Sequence, residues 1–137
     1  MAFGLNDSNR GLEGIDTYRN AMSDILKKLK EKNIEVIVLT TNMMCTKENF
    51  NIENEKTKEI MKSSRKIQND GVLDKYMEVA REVCEKHSCV LCDCYKKWKT
   101  LYENGVNIDL SLSNGINHPA REMNYMFANS LIETMFS

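Results

Sequence analysis

The chain has 137 residues, 42% of them hydrophobic and 28% charged, with a formal net charge of -1. That length and composition hold one core, so a single domain over residues 1–137 is expected, and an intrinsically disordered chain is excluded. Twelve basic and eleven acidic residues up to position 70, then seven and nine beyond it, leave no basic tract for a nucleic acid, and no apolar run approaches the ~20 residues of a membrane span.

Met1 to Phe3 reads as a short strand that runs into the polar turn Gly4-Leu5-Asn6-Asp7. A helix follows, with an apolar stripe at Ile15, Tyr18, Met22, Ile25 and Leu29 and charges on its other face, ending near Asn33. Ile34 to Thr40 is a β-branched run with little alternation, as in a strand covered on both faces of a parallel sheet. Residues 41–69 are rich in Asn, Lys and Glu and predict a mobile loop with a helix around Glu55 to Lys66. The next helix, Leu73 to Lys86, buries Leu73, Tyr76, Ala80 and Val83; Cys89 to Asp93 is a strand, and Lys96 to Glu103 a brief helix capped by Asn104-Gly105. The last helix is expected to open at Pro119 and to bury Met123, Phe127, Leu131 and Met135. Strands alternating with helices predict an α/β fold with a parallel sheet.

Five cysteines, Cys45, Cys84, Cys89, Cys92 and Cys94, form an odd set with no leader peptide ahead of Met1. Reduced thiols and a cytoplasmic setting follow, with secretion left open if an upstream segment has been lost. Cys89-x-x-Cys92-x-Cys94 with His87 nearby has the residue types of a zinc site. Strand alternation sends Cys89 and Cys92 to opposite faces, which spoils tetrahedral convergence, so small buried side chains are expected and no metal or disulfide. His87 ends a surface helix and reads as a cap.

Two segments carry chemistry. Asn6 follows a strand end, where open α/β sheets place their ligands, and its amide is a donor for a developing oxyanion. His118 sits in the loop Ser113-Asn114-Gly115-Ile116-Asn117-His118-Pro119, ahead of the chain's one proline, where a neutral imidazole can serve as a general base. The plain alternatives are a turn for the first and a helix-capping histidine for the second.

Taken together, Phe3-Gly4-Leu5-Asn6-Asp7 and the late His118-Pro119 block resemble the carboxyl-terminal part of the SGNH/GDSL hydrolases, over essentially the whole chain. The resemblance implies a flavodoxin-like three-layer sandwich, truncated at its amino end, and a carboxylic ester hydrolase of the esterase, lipase or acylhydrolase kind. It implies Asn6 as the oxyanion-hole donor, supported by Gly4 and Asp7, and His118 as the general base. The Gly-Asp-Ser block that supplies the family's serine is absent. Where relatives place an aspartate three or four residues before the histidine, this chain has Gly115 and Asn114, and Asp109, the nearest upstream carboxylate, is the candidate for the orienting role. No cofactor is implied, and the implied substrate is a small ester, an acylated sugar or a lipid. An edge strand at Met1 to Phe3 without its neighbours predicts a complementing amino-terminal segment or a homo-oligomer. The alternative is a non-catalytic remnant or interaction module that keeps the fold.

Overall fold

The computed structural model describes residues 1–137. It is a mixed α/β structure, 61% helical, with two parallel strands in one sheet. The chain runs through α1 (Ile15–Glu31), β1 (Ile37–Leu39), α2 (Glu55–Asn69), α3 (Val72–Lys86), β2 (Val90–Cys92), α4 (Cys94–Glu103) and α5 (Asn124–Met135), with short 3₁₀ turns between.

β1 and β2 pair in parallel, Ile37 against Val90, Val38 against Leu91 and Leu39 against Cys92. The Met1–Phe3 segment makes a single parallel bridge, Ala2 to Leu39, where a strand was expected. Its hydrogen bonds are confined to one side: the Met1 ammonium donates to the Ile37 carbonyl at 2.6 Å and the Leu39 N–H to the Met1 carbonyl at 2.8 Å. One bridge pair, against the three that join β1 and β2, is too short a ladder for a strand. β1 is also shorter than the Ile34 to Thr40 run.

The periodic helices form where expected. α1 buries Tyr18, Met22 and Leu26, the last outside the expected stripe, with Ile15, Ile25 and Leu29 only half-buried, and α3 buries Leu73, Tyr76, Met77, Val79, Ala80, Val83 and Cys84. The two helices pack on each other, with the rings of Tyr18 and Tyr76 5.2 Å apart. Val38 of β1 joins their cluster, together with Met61 of α2 and Trp98 of α4. His87 is the C-terminal cap of α3, and Asn104 that of α4.

Two expectations are corrected. The segment after β1 is core, not a mobile loop: Met43, Met44 and Cys45 are each 1% exposed or less. Its backbone is anchored by Gln68, whose Oε1 accepts from the Met44 N–H at 2.8 Å, and by the Ile116 carbonyl, which accepts from the Cys45 N–H at 2.7 Å. The final helix does not open at Pro119. Pro119 pairs with Leu112 in an antiparallel bridge, Ala120 stays extended, and α5 starts at Asn124 after a 3₁₀ turn. Met123, Met126 and Phe127 pack on the core, whereas Met135 is 61% exposed.

Candidate active site

The carboxyl ends of Met1–Phe3, β1 and β2 lie at one edge of the sheet; the first runs into a polar turn, the second into the buried segment 40–45, and the third through Asp93 directly into α4. The first turn is built on Gly4. Its φ of +114° lies in the left-handed region, and a Cβ there would sit 2.5 Å from Cε of Met77. The Gly4 N–H donates to Oδ2 of Asp7 at 3.1 Å, and the Gly4 carbonyl accepts from the Ser8 N–H at 3.0 Å. Asp7 therefore closes the turn on itself. Asn6 stands at its tip, exposed, its carbonyl taken by Asn9 and its side-chain amide free of any intrachain hydrogen bond.

The second element is the His118 loop, organised by Asn114. Oδ1 of Asn114 accepts from the N–H groups of Ile116, Asn117 and His118, each at 3.0 Å. The position that was expected to orient the imidazole thus holds the backbone beneath it. Gly115 takes φ +64° and packs so closely on Asn49 that a Cβ would meet its amide at 2.1 Å. The loop is moored to the segment after β1, because Nδ2 of the buried Asn42 donates to the Asn117 carbonyl at 2.9 Å and Cys45 holds Ile116. The His118 ring is exposed and makes no hydrogen bond, while its carbonyl accepts from the N–H of Ser113 at 2.8 Å.

Asp109 is committed elsewhere. Its carboxylate accepts from the N–H and hydroxyl of Thr46, at 2.8 and 2.7 Å, and from the Lys47 N–H at 3.1 Å. It fastens the chain leaving Cys45, and no hydrogen bond joins it to His118. No hydrogen bond joins the Asn6 turn to the His118 loop, and Asp109 is turned to its own task.

Two hydroxyls near these groups are also spent. Ser8 is fully buried and donates to the Leu5 carbonyl at 2.6 Å, and Ser113 Oγ donates to the His118 carbonyl at 3.3 Å. Neither reaches the imidazole.

A third group at this edge went unnoticed in the sequence. Asp93 caps α4 through the Lys96 N–H, accepts from Thr40 Oγ1 at 2.8 Å, and is held by Nε of Arg81 at 2.8 Å and Nη2 at 3.2 Å. Burial alone would raise the Asp93 carboxyl, but hydrogen bonds from Arg81, Thr40 and Lys96 outweigh it and hold the group below the usual carboxylate range. Every oxygen of Asp93 is satisfied, which marks a clasp between β1, α3 and α4. The signal was Asp93 standing one residue before Cys94, the N-cap position of a helix.

A concavity of about 800 Å³ lies at the opposite end of the sheet, bordered by Leu26, Lys30, Val36, His87, Cys89 and Met135. Parallel sheets gather ligand groups at their carboxyl edge, not at this one. Cys92 and Cys94 bring their sulfurs to 3.9 Å, and no set of three or more His, Cys, Asp or Glu side chains converges. Burial pushes the Cys94 thiol up to about 12, with Cys92 adding to the rise, and burial pushes Cys45 up to about 11. Thiols so placed stay protonated and packed.

No family model, curated protein or solved structure matches the chain.

Proposed function

We propose that the chain is the carboxyl-terminal portion of a carboxylic ester hydrolase of the SGNH/GDSL type, a three-layer flavodoxin-like sandwich without its first strands. Asn6 is then the oxyanion donor and His118 the general base. One observation supports this reading: the Asn6 amide and the His118 imidazole are both exposed and free of intrachain hydrogen bonds, each on a loop whose backbone is pinned. In the reaction, a serine hydroxyl supplied by an amino-terminal segment attacks the ester carbonyl while His118 takes its proton. The carbonyl oxygen gains charge against the Asn6 amide, and His118 returns the proton to the departing alcohol. Water then repeats the sequence on the acyl-enzyme and regenerates the serine. The substrate is a small ester, an acylated sugar or a lipid; neither a cofactor nor a metal takes part. The complementing segment, or a second copy, pairs with the Met1–Phe3 edge.

A second reading is a non-catalytic module with this fold. It is favoured by the commitments of Asp109 and Asn114, which leave the imidazole with no carboxylate to stabilise its charged form.

The test is hydrolysis of p-nitrophenyl acetate. Residues 1–137 alone are expected to show no His118-dependent turnover. Addition of a polypeptide carrying a Gly-Asp-Ser strand restores it; Asn6→Ala then lowers kcat by about 10²–10³, and His118→Ala by more. A complex that assembles without turnover leaves the non-catalytic reading standing. Turnover by the isolated chain that His118→Ala abolishes makes one of its own serines the nucleophile, the exposed Ser113 ahead of the buried Ser8.

A further inference from the structure

The second observation lies on α5 and is independent of the hydrolase reading. Helices exposed to water carry charge on their outer face. α1, α2 and α3 do so, with seven charged residues each, whereas the twelve residues of α5 hold one, Glu133. Ser130 is the only residue of α5 that is fully buried, and while Met126 and Phe127 pack on the core, other apolar residues of the helix stay exposed. Tyr125 is 66% exposed, Ile132 55% and Phe136, just past the helix end, 82%.

These residues are ordered. Tyr125, Ala128, Ile132 and Met135 recur along α5 at spacings of three and four, the period with which one helix seats against another, and Arg121 precedes Tyr125 by four in the 3₁₀ turn that leads into the helix. All five are exposed, and Met123, Met126, Phe127 and Ser130 occupy the opposite, inward face. Ala128 leaves a hollow of about 290 Å³ bordered by Arg121, Asn124 and Tyr125. At about 30 Å³ per water, that is room for an aromatic ring.

We propose that this face of α5 pairs with the same face of a second copy, antiparallel across a two-fold axis, so that Tyr125 of each copy fills the hollow beside Ala128 of the other. Charge complementarity selects this partner and this direction. Arg121 has no ion-pair partner within its chain. Antiparallel packing of Tyr125 on Ala128 brings Arg121 level with Ile132 and Glu133 of the second copy. Its stem then covers Ile132 while its guanidinium joins Glu133, which inside its own chain is paired only at the surface, to Lys97. A parallel pair would set Arg121 against Arg121. An isologous contact of this kind closes at two copies. One pair of helices, each about 18 Å long, buries less than about 1,200 Å² in total, so self-association in the micromolar range is expected.

Sedimentation velocity of the full chain, from low micromolar to near-millimolar concentration, tests this. The wild type is expected to pass from monomer to dimer. Ile132→Lys and Tyr125→Ala should each weaken the dimer at least about tenfold, which is 1.4 kcal/mol, and Arg121→Glu should weaken it less. Lys62→Glu on α2 should change nothing. Circular dichroism and melting at low concentration establish that each variant is folded. A wild type that stays monomeric throughout overturns the proposal, and so does a dimer indifferent to Ile132→Lys, which would point to the Met1–Phe3 edge. A monomer that co-sediments with phosphatidylcholine vesicles assigns the stripe to a lipid surface and overturns it as well.

Discussion

α3 and α5 both reach β2, and their sequences make opposite statements. α3 carries seven charged residues in fifteen and buries seven of the others; α5 carries one in twelve and buries one. The charged face of α3 tells which side meets water, and its stripe finds Tyr18, Met22 and Val38 within the chain. α5 has an apolar face left over after its own packing. The lesson is that a helix with apolar residues all round reports on contacts the chain cannot supply.

The largest expected effect tests the α3 half of that comparison. Met77 is wholly buried and lies against the Gly4 turn. Met77→Ala removes the side chain on which that turn rests and should cost about 2–5 kcal/mol, the range for Met or Leu truncation in a core. Urea unfolding gives the value. A loss below about 1 kcal/mol would mean that the α1 and α3 core collapses around the gap.

Next comes the Asp93 clasp, which ties α3 to both strands. Its side chain keeps 19% exposure, so Asp93→Ala should cost about 2–3 kcal/mol, below the roughly 3–5 of a fully buried pair. The folded-state pKa of Asp93 is depressed. Its contribution is therefore complete above the unfolded value, about 3.9, and is lost as pH falls through the folded one. Wild type and Asp93→Ala should thus converge in stability below about pH 4, and stay parallel from pH 5 to 8. Melting curves across that range check the sign: a gap that widens on acidification would contradict the depressed value.

The stripes of α1 and α3 were legible because burial there is set by local spacing. The parallel pairing of β1 with β2 followed from the alternation of strand and helix. Met43 to Cys45 were not legible, because they are buried by partners far along the chain, Gln68 and Ile116, with no period of their own to mark them. Pro119 misled for a similar reason. Its fixed φ suits an extended bridge as well as a first helical turn, and the pairing with Leu112 decided between them. At the site, the residue types of the Asn6 turn and the His118 loop could be read, but the commitment of Asp109 to Thr46 could not. A carboxylate's partner is a matter of the fold.

A smaller effect is expected at Asn114. Asn114→Ala releases three backbone N–H groups of an exposed loop to water, which should cost about 1 kcal/mol and speed amide exchange at Ile116, Asn117 and His118. Asn114→Asp keeps the acceptor and should preserve protection. If Asn114→Ala leaves those amides protected, the loop is held by Asn42 and Cys45 alone.

The smallest effect is expected on the α5 face, and its smallness is what makes it informative. Ile132 is 55% exposed, so Ile132→Ser in a dilute, monomeric sample removes little that is buried and adds a hydroxyl already in water. Unfolding free energy should stay within about 0.5 kcal/mol of wild type, against several for Met77→Ala in the same assay. At high protein concentration the two chains should part: the wild-type melting temperature rises with concentration because only the folded state associates, and that of Ile132→Ser stays flat. A concentration-independent wild type would return α5 to the class of helices whose exposed apolar residues have no partner among copies of this chain. A variant destabilised at every concentration would place Ile132 in the core, and the contrast with α3 would be gone.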